Sequence, residues 1–186
     1  MQKLPTLDTE SAKRFLAVSQ RTGAVAFLIV ATIQALILFA GFLLMHWIQF
    51  GYVKSEEQQT VREFLEYVMR PNNGLLHFSI IMVVLVGLSW PVGRWAGREI
   101  GVGKRNFAWI SLRALILPSL GASLCFCFLE VVHDTTGRDW EIARQLRALI
   151  PSSLLFSVIM MVVGILPALV AGLVVRQRLA VVAERG

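Results

Sequence analysis

Four residues carry the metal-binding potential of this chain. His46, His77 and His133 are its only histidines, and each falls at the outer end of a different apolar segment. Glu130 precedes His133 by three residues, which sets the two side chains about 60° apart on one helix face. Glu-x-x-His is a spacing used where a carboxylate and an imidazole of a helical bundle converge on one ion. That donor set suits zinc, iron or copper. Two histidines facing each other at one depth would also serve haem, which requires the helices of His46 and His77 to be neighbours. The site expected from sequence is therefore His46, His77, Glu130 and His133, with a metal or haem as its cofactor. The competing reading is an interfacial belt, since Trp47 adjoins His46 and Phe78 adjoins His77. A single Glu-x-x-His also falls short of a di-metal bundle, which carries two.

Other candidates are weaker. Gln34 is the most deeply placed strongly polar side chain, and a buried amide often hydrogen-bonds across helices, so helix glue outweighs a substrate contact. Arg113 is the one charge well inside an apolar segment. It lies near the segment's end, where a long side chain reaches the interface by snorkelling. Cys125 and Cys127 are two residues apart, about 200° around a helix, and cannot share a ligand. The stretch from Gly97 to Arg105 is rich in glycine, but it lacks the spacing, the Ser or Thr and the preceding strand of a phosphate-binding loop. A flexible basic loop beside anionic lipid is the better reading. No nucleophile–base order and no zinc-protease motif occurs, so the sequence disfavours an enzyme.

The elements that must position these residues are apolar and long. Of 186 residues, 56% are hydrophobic and 16% charged. Soluble domains average about a quarter charged. The apolar residues form four blocks, and a spanning helix needs about 20 such residues. The sequence predicts spans over about 24–49, 75–93, 107–132 and 150–175. It predicts one membrane domain over 1–186, an all-α antiparallel bundle of four transmembrane helices. The outer connectors predict short amphipathic helices at 56–70 and 138–147. In the first of these, Val61, Phe64, Leu65, Val68 and Met69 share a face. Residues 8–20 read as a short helix leading into the first span, capped by Asp8 or Thr9. The first block is too long for a signal-peptide core and reads as an anchor.

Charge sets the expected orientation. Both tails and the 94–106 connector, with Arg113, hold twelve of the eighteen basic residues against four acids. The other two connectors hold six basic residues against eight acids. The positive-inside rule then puts both termini in the cytoplasm of a plasma (inner) membrane. Trp47, Trp90, Trp95, Trp109 and Trp140 fall at or near span ends, as interfacial rings do.

Ridges of small residues predict where helices touch: Gly164, Ala168 and Gly172 in the fourth span, Ser119 and Ser123 in the third, and Gly93, Gly97 and Gly101 at the end of the second. Such ridges usually serve contacts within a bundle. Phe78-Ser79-Ile80-Ile81-Met82 and Phe156-Ser157-Val158-Ile159-Met160 enter their spans from the same side, a pattern open to duplication or to chance. Small size and the absence of a polar pathway point to a non-enzymatic accessory, assembly or scaffold subunit of a larger envelope complex. Its partners would be the lipid bilayer and other membrane proteins or further copies of itself, with no nucleic acid. The alternatives are a redox protein using the outer histidines, and a small oligomeric transporter or channel.

Overall fold

A computed structural model describes residues 9–53, 61–70, 74–101, 106–135 and 142–184. Among them the chain is helical: α1 (Thr9–Val53), α2 (Val61–Val68), α3 (Leu75–Gly101), α4 (Phe107–Thr135) and α5 (Ile142–Glu184). All but α2 are long and apolar enough to cross a membrane. The protein is an all-α, four-helix membrane bundle.

Local chemistry sets several helix ends. Asn106 caps α4, its side-chain oxygen accepting from the Ala108 N–H at 3.0 Å, which satisfies one of the orphan donors of the first turn. Gly74 opens α3 with φ of 70°, a left-handed conformation that glycine adopts without a Cβ clash. At α1 no break separates the tail segment from the span. The helix is 45 residues long, about 68 Å by helical rise, and so outreaches a hydrocarbon layer of about 30 Å at one or both ends. The 43-residue α5 does the same. Its first turns cover the described part of the stretch expected as a separate connector helix at 138–147, and they continue directly into the fourth span.

The four long helices form a ring in the order α1, α3, α4, α5, each packed mainly on the two beside it. Contacts give the direction of each pair. Gly23 meets Gly93 and Gly97, while Phe42 meets Phe78, so α1 and α3 are antiparallel. Gly172 meets Ser111, while Ser123 meets Ser157, so α4 and α5 are antiparallel too. Gln34 on α1 meets Met160 on α5 and closes the ring. One end of the bundle is thus basic, holding Arg21, Arg94, Arg98, Arg176 and Arg178. The other holds His46, His77 and α2.

Many small residues line the inside, beside larger ones such as Ile81, Leu85, Ile110 and Met160. Ala24, Ala31, Ala96, Ala122 and Ala168 are buried, as are Ser19, Ser89, Ser111, Ser119, Ser123 and Ser157. Large apolar residues face out: Leu36, Val83, Leu124 and Leu166 are each more than three-fifths exposed. A soluble bundle would not leave so many large apolar residues facing out. Between helices in lipid, large apolar side chains gain little by turning inward, whereas small ones let backbones approach and gain dispersion and hydrogen bonding.

The ridges read from sequence pack inside the chain. A Cβ on Gly97 would collide with the Ser19 carbonyl and lie 2.9 Å from Gly23 Cα. One on Gly172 would collide with the Ser111 hydroxyl, and one on Gly164 with Leu115. Ser119 and Ser123 are buried in α4, their hydroxyls donating to the Leu115 and Ser119 carbonyls.

The short helix α2 lies against the last turns of α1. Phe64 and Val68 are buried beside Phe50, and Trp47 meets the Phe64 ring edge-on at 4.9 Å. A second apolar stripe, Val61, Leu65 and Met69, points away from the bundle and is about half or more exposed. With one face on protein and one apolar stripe outward, α2 has the build of an interfacial helix.

Candidate functional site

At the histidine end, the α1–α3 contact is aromatic. Phe42 and Phe78 stack at 4.5 Å between ring centroids, and Phe78 meets Phe156 of α5 edge-on at 6.2 Å. His46 stands one turn beyond Phe42 and leans back over it, with centroids 4.2 Å apart. Its Nδ1 lies 3.0 Å from the Phe42 carbonyl oxygen. A carbonyl only accepts, so this bond places a proton on Nδ1; in the neutral ring the lone pair then sits on Nε2. Tyr67 of α2 also stands near, its ring centroid 6.3 Å from that of the imidazole. His77 is half-buried in the first turn of α3.

Two of the four residues expected to form a metal site are therefore on neighbouring helices at one end. The side chains of Glu130 and His133 lie outside the described residues, although both belong to α4, which packs beside α3. Among the described residues no three metal-ligating side chains gather.

The second polar region is the centre of the bundle. Gln34 is 1% exposed, and its Nε2 donates to the Met160 carbonyl across the α1–α5 contact. Gly164 makes the approach possible, because a Cβ there would stand 3.0 Å from both polar atoms of the amide. Nearby, Pro118 has no N–H, so the Ala114 carbonyl loses its helical donor. Ala114, Pro118, Gln34 and Ser89 line one small cavity. Its volume of about 10 Å³ is at the lower limit of what one water needs. One layer further toward the histidine end, the Ser123 and Ser157 hydroxyls bond at 2.7 Å between α4 and α5.

No family pattern, no characterised protein and no solved structure matches this chain.

Arg113 is exposed on α4, with its guanidinium 4.9 Å from the centroid of the Trp109 ring. Helix side chains tilt toward the N-terminus, so this contact draws the charge one turn toward the basic end. That is snorkelling with an aromatic rest, worth about 0.5–2 kcal/mol as a cation–π pair. Cys125 and Cys127 are half-buried, and neither is in a disulfide.

Sequence reasoning found Gln34 and the glycine ridges. It did not single out Ser19 or Ser157 as helix contacts. Ser19 is buried and its hydroxyl donates to the Gly97 carbonyl, tying α1 to α3. A serine four residues before Gly23 was the available signal, since Ser19 and Gly23 form the same small-residue spacing as Gly93 and Gly97.

Proposed function

We propose that this chain is a small, non-enzymatic, multi-pass protein of the inner (plasma) membrane, acting as an accessory, assembly or scaffold subunit of a larger envelope complex. Both termini and the 94–106 connector lie in the cytoplasm, in accord with the positive-inside rule. The observation that carries the reading is the occupied interior. Gln34, Ser19, Ser89, Ser111, Ser119, Ser123 and Ser157 spend their polar groups on bonds to other helices or to their own. The small cavity beside Gln34 and Pro118 has room for a single water at most. What such a bundle offers to other molecules is its outside: long apolar faces, the α2 stripe and helix extensions of α1 and α5. This disfavours a conduit within one protomer.

Extraction from native membranes in mild detergent, followed by mass measurement of the intact assembly, tests it. A complex of fixed stoichiometry containing another membrane protein is expected. A particle of this chain alone, together with solute flux after reconstitution, contradicts it.

One observation favours a second reading, a cofactor site at the histidine end. Metal-bound imidazoles commonly donate their other N–H to a carbonyl or carboxylate. His46 has that arrangement, with Nδ1 on the Phe42 carbonyl and Nε2 as the coordinating nitrogen. Convergence of His77, Glu130 and His133 on it completes this proposal.

A further inference from the structure

The close backbone approach of α1 and α3 has a consequence on its outer side. Where Ser19 and Gly23 of α1 press on Gly93 and Gly97 of α3, the flanking larger side chains stand apart and border a groove of about 270 Å³. Its lining is Ala17, Gln20, Arg21 and Ala24 from α1 with Trp90 and Arg94 from α3. Both arginines are exposed. Among the described residues neither forms an ion pair. Among the described residues Arg94 reaches the Gln20 amide oxygen alone, at a long 3.4 Å, and no polar contact engages Arg21. By contrast, the exposed arginines Arg14 and Arg62 have a carboxylate one turn away, Glu10 and Glu66.

The groove opens at the basic end, at the level where Trp90, 43% exposed, supplies an interfacial ring. Below it the same side of both helices turns apolar. Leu28 and Thr32 follow Arg21 by seven and eleven residues, and Gly87 and Val83 precede Arg94 by the same intervals. These spacings keep each set on one face. Thr32 spends its hydroxyl on the Leu28 carbonyl, and Val83 is 70% exposed. Nothing lies within 4 Å of where a Cβ of Gly87 would stand, so the face is notched there.

We propose that Arg21 and Arg94, with Gln20 and Trp90, bind the phosphate headgroup of an anionic phospholipid, whose acyl chain runs down the notched α1–α3 face. Two guanidinium forks match the oxygens of a phosphodiester, and hydrogen bonds in which both partners are charged are the strong ones. A membrane supplies that anion at the depth where the groove lies, with an attached apolar chain where the apolar track begins. A free phosphate would use the arginines and leave the track unused. The inference stands independently of the accessory-subunit reading.

The test uses the full chain purified in a neutral detergent. Melting temperature and native mass spectra are recorded with dioctanoyl phosphatidylglycerol, with dioctanoyl phosphatidylcholine and with inorganic phosphate. Phosphatidylglycerol is expected to raise the melting temperature and to remain bound, while the other two do neither. Arg21→Gln and Arg94→Gln are each expected to weaken its binding about tenfold, the loss of one charged hydrogen-bonding partner. Arg178→Gln, on α5 and outside the groove, should bind as the parent does. Arg21→Lys keeps the charge and removes the fork, and an intermediate loss is expected from it. The proposal is overturned if inorganic phosphate reproduces the shift, if phosphatidylcholine binds as well, or if Arg178→Gln loses as much as Arg21→Gln.

Discussion

Gln34 and Met160 are 126 residues apart in sequence and joined by one hydrogen bond, from the Gln34 side-chain amide to the Met160 carbonyl. The bond lies between α1 and α5, the first and last long helices, and so helps close the ring. Gln34→Met keeps the volume and removes the donor. Its expected cost is about 0.6 kcal/mol, the average for interhelical hydrogen bonds inside a membrane protein, and at most about 1.7 kcal/mol. Thr32→Val is the control, since Thr32 is exposed and bonds only to its own helix. Denaturation of the purified protein in mixed detergent checks the pair. Equal stability of the two variants would mean that the Gln34 bond contributes nothing.

Gly97 and Gly41 should respond oppositely to the same substitution. Gly97→Ala drives a Cβ into the Ser19 carbonyl, and overpacking of this kind costs about 1–3 kcal/mol. Gly41→Ala meets nothing within 4 Å and relieves the helix penalty of glycine, about 0.5–1 kcal/mol. A lowered melting temperature for the first and an unchanged or raised one for the second are expected. Matching shifts would contradict the α1–α3 contact.

Much of this fold was legible because its determinants are local. Four apolar blocks of spanning length give four spans, and a spacing of four residues puts Gly164, Ala168 and Gly172 on one ridge before any neighbour is known. A lone amide in an apolar block marks Gln34 as helix glue for the same reason. What the sequence withholds is pairing. Gly93 and Gly97 announce a close contact but not that Ser19 and Gly23 receive it. Those two flank Arg21, where charge suggests the end of a span. Arg21 and Arg94 are 73 residues apart and register in the sequence only as topology charges. Their groove exists because two glycine-lined backbones touch between them. The histidine end is half legible: its residue types show, while the direction of each ring depends on contacts such as that of His46 with Phe42.

Orientation has a direct check. In a background with Cys125 and Cys127 replaced, single cysteines at Ser55 and Glu184 are exposed to an impermeant thiol reagent on intact cells. Ser55→Cys should label and Glu184→Cys should label only after the membrane is opened. Labelling of Glu184→Cys in intact cells would reverse the topology.

The cofactor reading predicts a metal or a visible chromophore in protein purified without chelators. Elemental analysis and absorption spectra should show it, and His46→Ala and His77→Ala should each remove most of it. Protein free of both, with no uptake of zinc, iron or haem on addition, would retire His46, His77, Glu130 and His133 as a site. The His46 bond to Phe42 would then serve only to lock the end of α1.

The central claim is that this protein works through its outer surface, against another membrane protein. A photo-reactive amino acid placed in turn at Leu36, Val83, Leu124 and Leu166, all outward-facing, tests it in living cells. The account predicts cross-links to one and the same partner protein from one or two adjacent helices, with lipid adducts from the remaining positions. Lipid adducts from every outward position, with the bundle intact, would contradict it.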